Sequence, residues 1–415
     1  MIRQNSSFVV IIVYFDIMDI DPSKTADRAV TLIDDLLAEW DGNHPRQEVK
    51  KKKVNVEWYK IFGRHRSPRL FRQALHINRS TFFLLTQYLS VYGGEAAEEA
   101  KNMNVSFSTV VCRGILAFAS SNTFADSAVA MHCSLTVLKK SVDLVTKMLL
   151  NIYPRIIRIP EKHLFRYFKT NTGEVFKGAV LAIGIISLFY LLIDGTHMRL
   201  SNEVQFGGMF LNRKKFASLN VLIVSDWNQN IVFADANWPG AACDITVWKR
   251  SALCKALCED RDAILPSRFD INLISRIEGC FILSDKGYRC TEFNLSPFFL
   301  NEKEKDLTPE ECHHFDVIHR ITRSSIERAI GKLKKRVPAL AKGIYKRTPE
   351  GAIDFVYASI AFHQLSRYIE LALKPTNDYV KHMKTYATDI PDYVSESGAE
   401  LRRKVARSIH HMREK

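Results

Sequence analysis

The chain has 415 residues, more than one hydrophobic core usually organises, so two domains plus tails are expected. Hydrophobic residues make up 47% and charged residues 25%, an ordinary globular balance, while a net charge of +14 favours a polyanionic partner, either nucleic acid or an anionic membrane surface. The 8 cysteines contain no C-x-x-C pair, which argues against a disulfide framework and for a reducing compartment.

In chain order, the apolar run Phe8 to Phe15 ends at Asp16 with no small-residue cleavage site after it, so it does not read as an export signal. Residues 1–53 read as a leader and a solvated linker, the latter being Arg46 to Lys53. Residues 54–165 read as helical. Leu75, Ile77, Phe82, Leu85 and Leu89 recur at helical spacing, and Asn104 to Ser106 offers a helix start. Phe124 to Met131 predicts a short helix, His132-Cys133-Ser134 a turn, and Leu135 to Leu149 a longer helix carrying Lys139, Lys140 and Lys147. That is the pattern of a helix-turn-helix, which packs two helices whether or not it touches DNA.

The run Ala179 to Ile193 is shorter than the roughly 18 apolar residues of a membrane span, and its end predicts a buried strand leading into Asp194. Asn220 to Val224 and Ile231 to Ala234 predict a hairpin, Ala242 to Leu257 a helix, Cys280 to Leu283 a strand, Arg323 to Val337 a helix ended by Pro338, and Ile353 to Leu373 another helix. This order predicts an α/β architecture, a mixed sheet with helices packed on it, over residues 176–373. Residues 374–415 read as a charged tail. Cys312-His313-His314 has no second ligand pair at usable spacing, so a zinc site is not expected there.

Asp194 and Asp285 each follow an apolar strand. Two such strands side by side would bring the carboxylates close, where they repel unless a cation sits between them. Hard divalent metals, Mg²⁺ or Mn²⁺, suit such oxygen ligands. Taken alone, each acid reads equally as a turn residue at a strand end. Glu327 lies beside the buried stripe Ile326, Ile330, Leu333 and Val337, among Arg323, Arg328, Lys332, Lys334, Lys335 and Arg336. Those cations would contact phosphates; a surface ion pair is the alternative for Glu327. Asp244 follows the Pro239-Gly240 turn and falls near a helix start, where a cap is the simpler role.

At these residues the sequence resembles the PIF/Harbinger group of DDE transposases and the nucleases domesticated from them. The matching segments are Ile193 to His197, Asn212 to Lys215 with Ser218 to Val221, Asn237 to Gly240 with Asp244, Ser284 to Tyr288, Arg320 to Arg336, and Phe362 to Leu365. The resemblance departs at Ser284, where a glycine is usual, and at Phe210, Lys215 and Ala217, where tyrosine, glycine and histidine are usual; Lys177 to Tyr190 looks like extra sequence. It implies a ribonuclease-H-like mixed sheet flanked by helices, preceded by an all-α, helix-turn-helix-like domain. It also implies Asp194, Asp285 and Glu327 as catalytic metal ligands, with Asp244 a further metal ligand. The expected activity is two-metal hydrolysis of DNA phosphodiester bonds in the nucleus, with strand transfer a further step. A separately encoded Myb-like DNA-binding protein would be a partner, and a membrane would not. The rival expectation is a DNA-binding or scaffold protein that no longer cuts. His197 reads as a structural histidine.

Overall fold

The computed structural model describes residues 68–120, 123–158, 190–201, 207–226, 228–258, 281–288, 294–298, 306–373 and 398–414. The readings of residues 1–53 and of 177–189 lie outside these. The chain divides into two compact units, Met1–Met148 with Leu365–Thr385, and Leu149–Gln364 with Tyr386–Lys415.

In the first unit the described elements are helices: α1 (Pro68–Leu75), α2 (Arg79–Tyr92), α3 (Glu95–Lys101), α4 (Phe107–Ala119), α5 (Phe124–Ala130) and the start of α6 (Leu135–Ile156). Ser106 caps α4 by accepting from Thr109 N at 3.3 Å. Thr123 and Asp126 form a reciprocal capping box on α5. The turn that follows needs a left-handed residue, supplied by His132 at φ 47°. Ala117, Ala128, Leu138 and Val142 form a small core with Phe124 and Cys133, locking α4, α5 and α6 together. A short helix, a tight turn and a longer helix therefore follow one another here. Two of the three lysines on α6 are paired with carboxylates, Lys140 with Glu99 (3.0 Å) and Lys147 with Asp143 (2.9 Å).

Among the described residues the second unit is built on a five-stranded sheet of order β3-β2-β1-β4-β5. β1 (Tyr190–Arg199) pairs antiparallel with β2 (Ser218–Ser225), which pairs antiparallel with β3 (Ile231–Pro239). On its other side β1 runs parallel to β4 (Phe281–Leu283), and β4 runs parallel to β5 (Asn294–Leu295). Every residue of β2 is buried, as a strand covered on both faces requires. The helices are α7 (Asp244–Arg250), α8 (Ala252–Cys258), α9 (Pro309–Arg336), α10 (Ala339–Lys342), α11 (Pro349–Ala372) and α12 (Gly398–Glu414). A mixed sheet flanked by helices is what the sequence predicts.

Four local differences have physical causes. Asp194 does not end β1 but sits in mid-strand, because β2 continues to pair past it as far as Arg199. The segment Ala242 to Leu257 forms two helices, since Ser251 interrupts the first and its Oγ accepts from Cys254 N (3.1 Å) to start the second. α9 starts well before Arg323, at Pro309, where Thr308 and Glu311 make a capping box and proline fits the first turn. The segment read as a charged tail contains α12, which buries Val405, Ala406 and Ile409 at helical spacing and packs on α9. Arg402 joins α12 to β5's end, lying 4.1 Å from the Phe298 ring centroid and donating to the Pro297 carbonyl (3.4 Å). Gln364 on α11 ties down the β2–β3 hairpin by accepting from Ile231 N (2.9 Å). No helix of the described residues is long and apolar enough to cross a membrane.

Candidate active site

Asp194 lies within β1, and Asp285 lies just past the end of its parallel neighbour β4. Leu192 pairs with Leu283, and each aspartate lies two residues further on. The two carboxylates are near enough for the charge of Asp285 to act on Asp194. β4 ends at Leu283, so past that pair β1's edge is left to α9 instead of another strand. Arg323 reaches in from α9. Its Nη1 donates to Asp194 Oδ2 (3.2 Å) and its Nη2 to Glu327 Oε1 one helical turn away. One guanidinium thus holds two of the predicted acids together. The Arg323 side chain is 15% exposed, so this pair is partly desolvated.

Burial pushes the Asp194 carboxyl up from 3.8 to about 6; Arg323 pulls it down and the charge of Asp285 pushes it up again. Asp285 is exposed, and its Oδ1 accepts from Lys286 N (2.7 Å). Asp244 is the first residue of α7; its neighbour Cys243 makes no side-chain cap. Asp244 Oδ1 accepts from Asn220 Nδ2 on β2 (2.8 Å). It also lies against Gly195, where a Cβ would stand 2.4 Å from that oxygen. Only glycine after Asp194 lets Asp244 come this close to β1.

Tyr288 was quoted in the motif but given no role by sequence reasoning. Its ring is buried and its hydroxyl lacks a hydrogen-bond partner. Burial first, then the charges of Asp244, Asp194 and Asp285, raise its pKa, so the hydroxyl keeps its proton. Three of the four acids therefore act on one buried donor. Its place after Asp285 in the Asp285-to-Tyr288 turn (Tyr288 N to Asp285 O, 3.0 Å) was the available signal.

The cations divide. Lys334 turns inward, donating to Thr196 Oγ1 (2.7 Å) and the His197 carbonyl (2.9 Å), and burial lowers its pKa. Arg336 donates to the His363 carbonyl (3.0 Å), and Arg328 to Ser324 and Ser325. Lys332 and Lys335 are exposed. His197 lies at 3.1 Å from Ser218 Oγ, which accepts from Asn212 Nδ2 (3.0 Å); burial lowers the His197 pKa and keeps it neutral. This is a structural role. Lys215 holds φ 60°, the left-handed backbone of a position where the resembled family uses glycine.

Residues 193–364 match the DDE superfamily endonuclease family. The likeness to that family is carried by this segment. The chain is also similar to "Putative nuclease HARBI1" of Homo sapiens, 24% identical over 177 residues, covering 42% of this chain and 45% of that protein. The rat (Rattus norvegicus) protein of the same name is 26% identical over 159 residues, covering 38% and 40%. The chain thus spans less than half the length of these relatives. No solved structure matches it.

Enzymes of the DDE superfamily generally use divalent metal ions. The all-oxygen set of Asp194, Asp244, Asp285 and Glu327 suits a hard divalent cation chemically. Burial, and less strongly the charge of Asp285, raise the Asp194 pKa, and the buried Tyr288 hydroxyl has no hydrogen-bond partner. Yet among the described residues no three His, Cys, Asp or Glu side chains converge on one metal position. Arg323 already engages Asp194 and Glu327.

Proposed function

We propose that residues 193–364 form a divalent-metal-dependent DNA endonuclease of transposase ancestry, acting in the nucleus. Asp194, Asp285 and Glu327 would hold the metal, and Asp244 would add charge. The supporting observation is that Asp194 and Asp285 each stand two residues beyond Leu192 and Leu283, a pair on adjacent parallel strands. Divalent metal, when bound, would lower the pKa of attacking water and stabilise the leaving 3′ oxygen. The chain's own part is to hold a desolvated Asp194 whose pKa the fold raises to about 6, to hold Asp244 through Asn220, and to keep the Tyr288 hydroxyl protonated as a donor. Arg323 must give up Asp194 and Glu327, and is then free to meet a phosphate oxygen. Strand transfer and a Myb-like partner extend the same reading.

The Arg323 bridge also favours a second reading, a DNA-binding scaffold in which the guanidinium stands in for metal charge. Plasmid nicking in Mg²⁺ or Mn²⁺ tests the first. The wild type should nick DNA but not turn over nitrophenyl phosphate, and Asp194→Asn and Asp285→Asn should each lose at least 100-fold, on the order of 3 kcal/mol. Both variants nicking at the wild-type rate would sink the assignment. Titration calorimetry on Arg323→Met separates the readings. A competing guanidinium predicts tighter Mn²⁺ binding in the variant than in the wild type; no Mn²⁺ binding in either supports the scaffold.

A further inference from the structure

The connection that leads into β2 carries exposed groups that the proposed metal chemistry leaves unused. Gly208–Phe210 form one turn of 3-10 helix, followed by Leu211 and the run Asn212 to Lys215. Met209 is 69% exposed and Leu211 43%. Arg213, Lys214 and Lys215 are exposed as well, and no ion pair holds any of them among the described residues. The backbone that carries these side chains is nonetheless held. Asn212 Oδ1 accepts from Lys214 N (2.8 Å), Asn212 Nδ2 donates to Ser218 Oγ (3.0 Å), and Lys215 N donates to Asn212 O (2.9 Å). Met209 O accepts from Ala241 N (3.0 Å), and a Cβ on Gly240 would stand 2.5 Å from Phe210 O. The loop is thereby pinned to the turn that leads into Asp244 and α7, where Ile245 is a third exposed apolar residue. The charge of Lys214 bears on the Lys334 ammonium, as does that of Asp194, so the loop's cations stand close to the acids.

We propose that this loop is a wedge for the DNA substrate: Met209 and Leu211 press into a base step beside the acids, while Arg213 and Lys214 hold the flanking phosphates. This rests on DNA being the substrate and adds the kind of DNA the site takes, a duplex that can be locally unstacked. Apolar side chains set beside basic ones are the means by which minor-groove proteins part a base step. Phosphate contact alone would need only the cations and would leave the apolar pair in water. An apolar protein surface would cover the pair but strand three unneutralised charges against it. Unstacking costs least at a mismatched base and most in a stiff tract, so the wedge selects by deformability and not by reading base edges.

Fluorescence anisotropy on the full chain in EDTA, where no metal supports cleavage, compares a short duplex with the same duplex carrying a central mismatch. The wild type should bind the mismatched duplex at least fivefold tighter, and 2-aminopurine placed beside the mismatch should brighten on binding. Met209→Ser with Leu211→Ser should melt like the wild type, keep its salt slope, and lose both the preference and the brightening. Arg213→Gln with Lys214→Gln should weaken both duplexes alike and flatten log affinity against log salt by about 2. The proposal is overturned if the wild type binds both duplexes equally, or if the serine variant keeps the preference. Polyglutamate bound as tightly as either duplex also overturns it, and makes the loop a surface for an acidic protein. A chain that shows the preference yet never nicks DNA in Mn²⁺ keeps the wedge and loses the nuclease. One that nicks DNA but binds both duplexes alike keeps the nuclease and loses the wedge.

Discussion

At the residue scale, the decisive group is Asp194. Its carboxyl is raised from 3.8 to about 6, chiefly by burial. The folded chain therefore binds this proton more tightly than the unfolded chain does. The stability Asp194 contributes is complete below about pH 4 and is lost as pH rises through about 6, on the order of 2 kcal/mol in metal-free buffer. Urea melts in EDTA between pH 4 and 7.5 should show this loss, and Asp194→Asn should remove it. An added divalent ion that binds the ionised acid should reverse the slope. A wild-type profile parallel to that of Asp194→Asn would show that Asp194 is not desolvated. The acids themselves were legible in the sequence because apolar runs lead into Asp194 and Asp285. The Arg323 clamp was not. An arginine one helical turn from Glu327 in a run of cations looks like any phosphate contact until α9 is docked on β1.

At the element scale, the sequence yields the order of strands and helices and hides their ends. β1 looked finished at Asp194 because Gly195, Thr196 and His197 carry no apolar run, yet β2 pairs with each of them. β5 has two residues, too few for any pattern. α12 was hidden by its charge, although Val405 and Ile409 do carry the stripe. A close joint lies between β1 and α7. Gly195→Ala would set a methyl group 2.4 Å from Asp244 Oδ1, and the carboxylate or the strand must shift. We expect a loss of about 1–3 kcal/mol in stability, and a drop in Mn²⁺ affinity if Asp244 supports the metal. Chemical melts and calorimetry on the same variant check both. Wild-type values in each would mean that Asp244 is an exposed first-turn acid with room to move.

At the scale of the whole molecule, the net charge of +14 is distributed between two tasks. Part of it is consumed inside the fold. Lys334 is tied to Thr196 and the His197 carbonyl, Arg323 to two carboxylates, and Arg402 to Phe298 and the Pro297 carbonyl. Lys332 and Lys335 stay exposed on the same helix that carries Glu327. Sequence alone could not sort these, since helical position without packing does not say which lysine turns inward. The division predicts opposite phenotypes for neighbours. Lys332→Glu with Lys335→Glu should weaken DNA affinity for every sequence alike and flatten log affinity against log salt by about 2. Lys334→Met should do the reverse. It should lower stability by about 1–3 kcal/mol, because the Thr196 hydroxyl and the His197 carbonyl lose their donor, and leave the salt slope of the folded protein close to that of the wild type. Parallel salt slopes for the double variant and the wild type would move the DNA-binding face away from α9. A shallower slope for Lys334→Met would show that its ammonium leaves Thr196 to meet phosphate when DNA arrives.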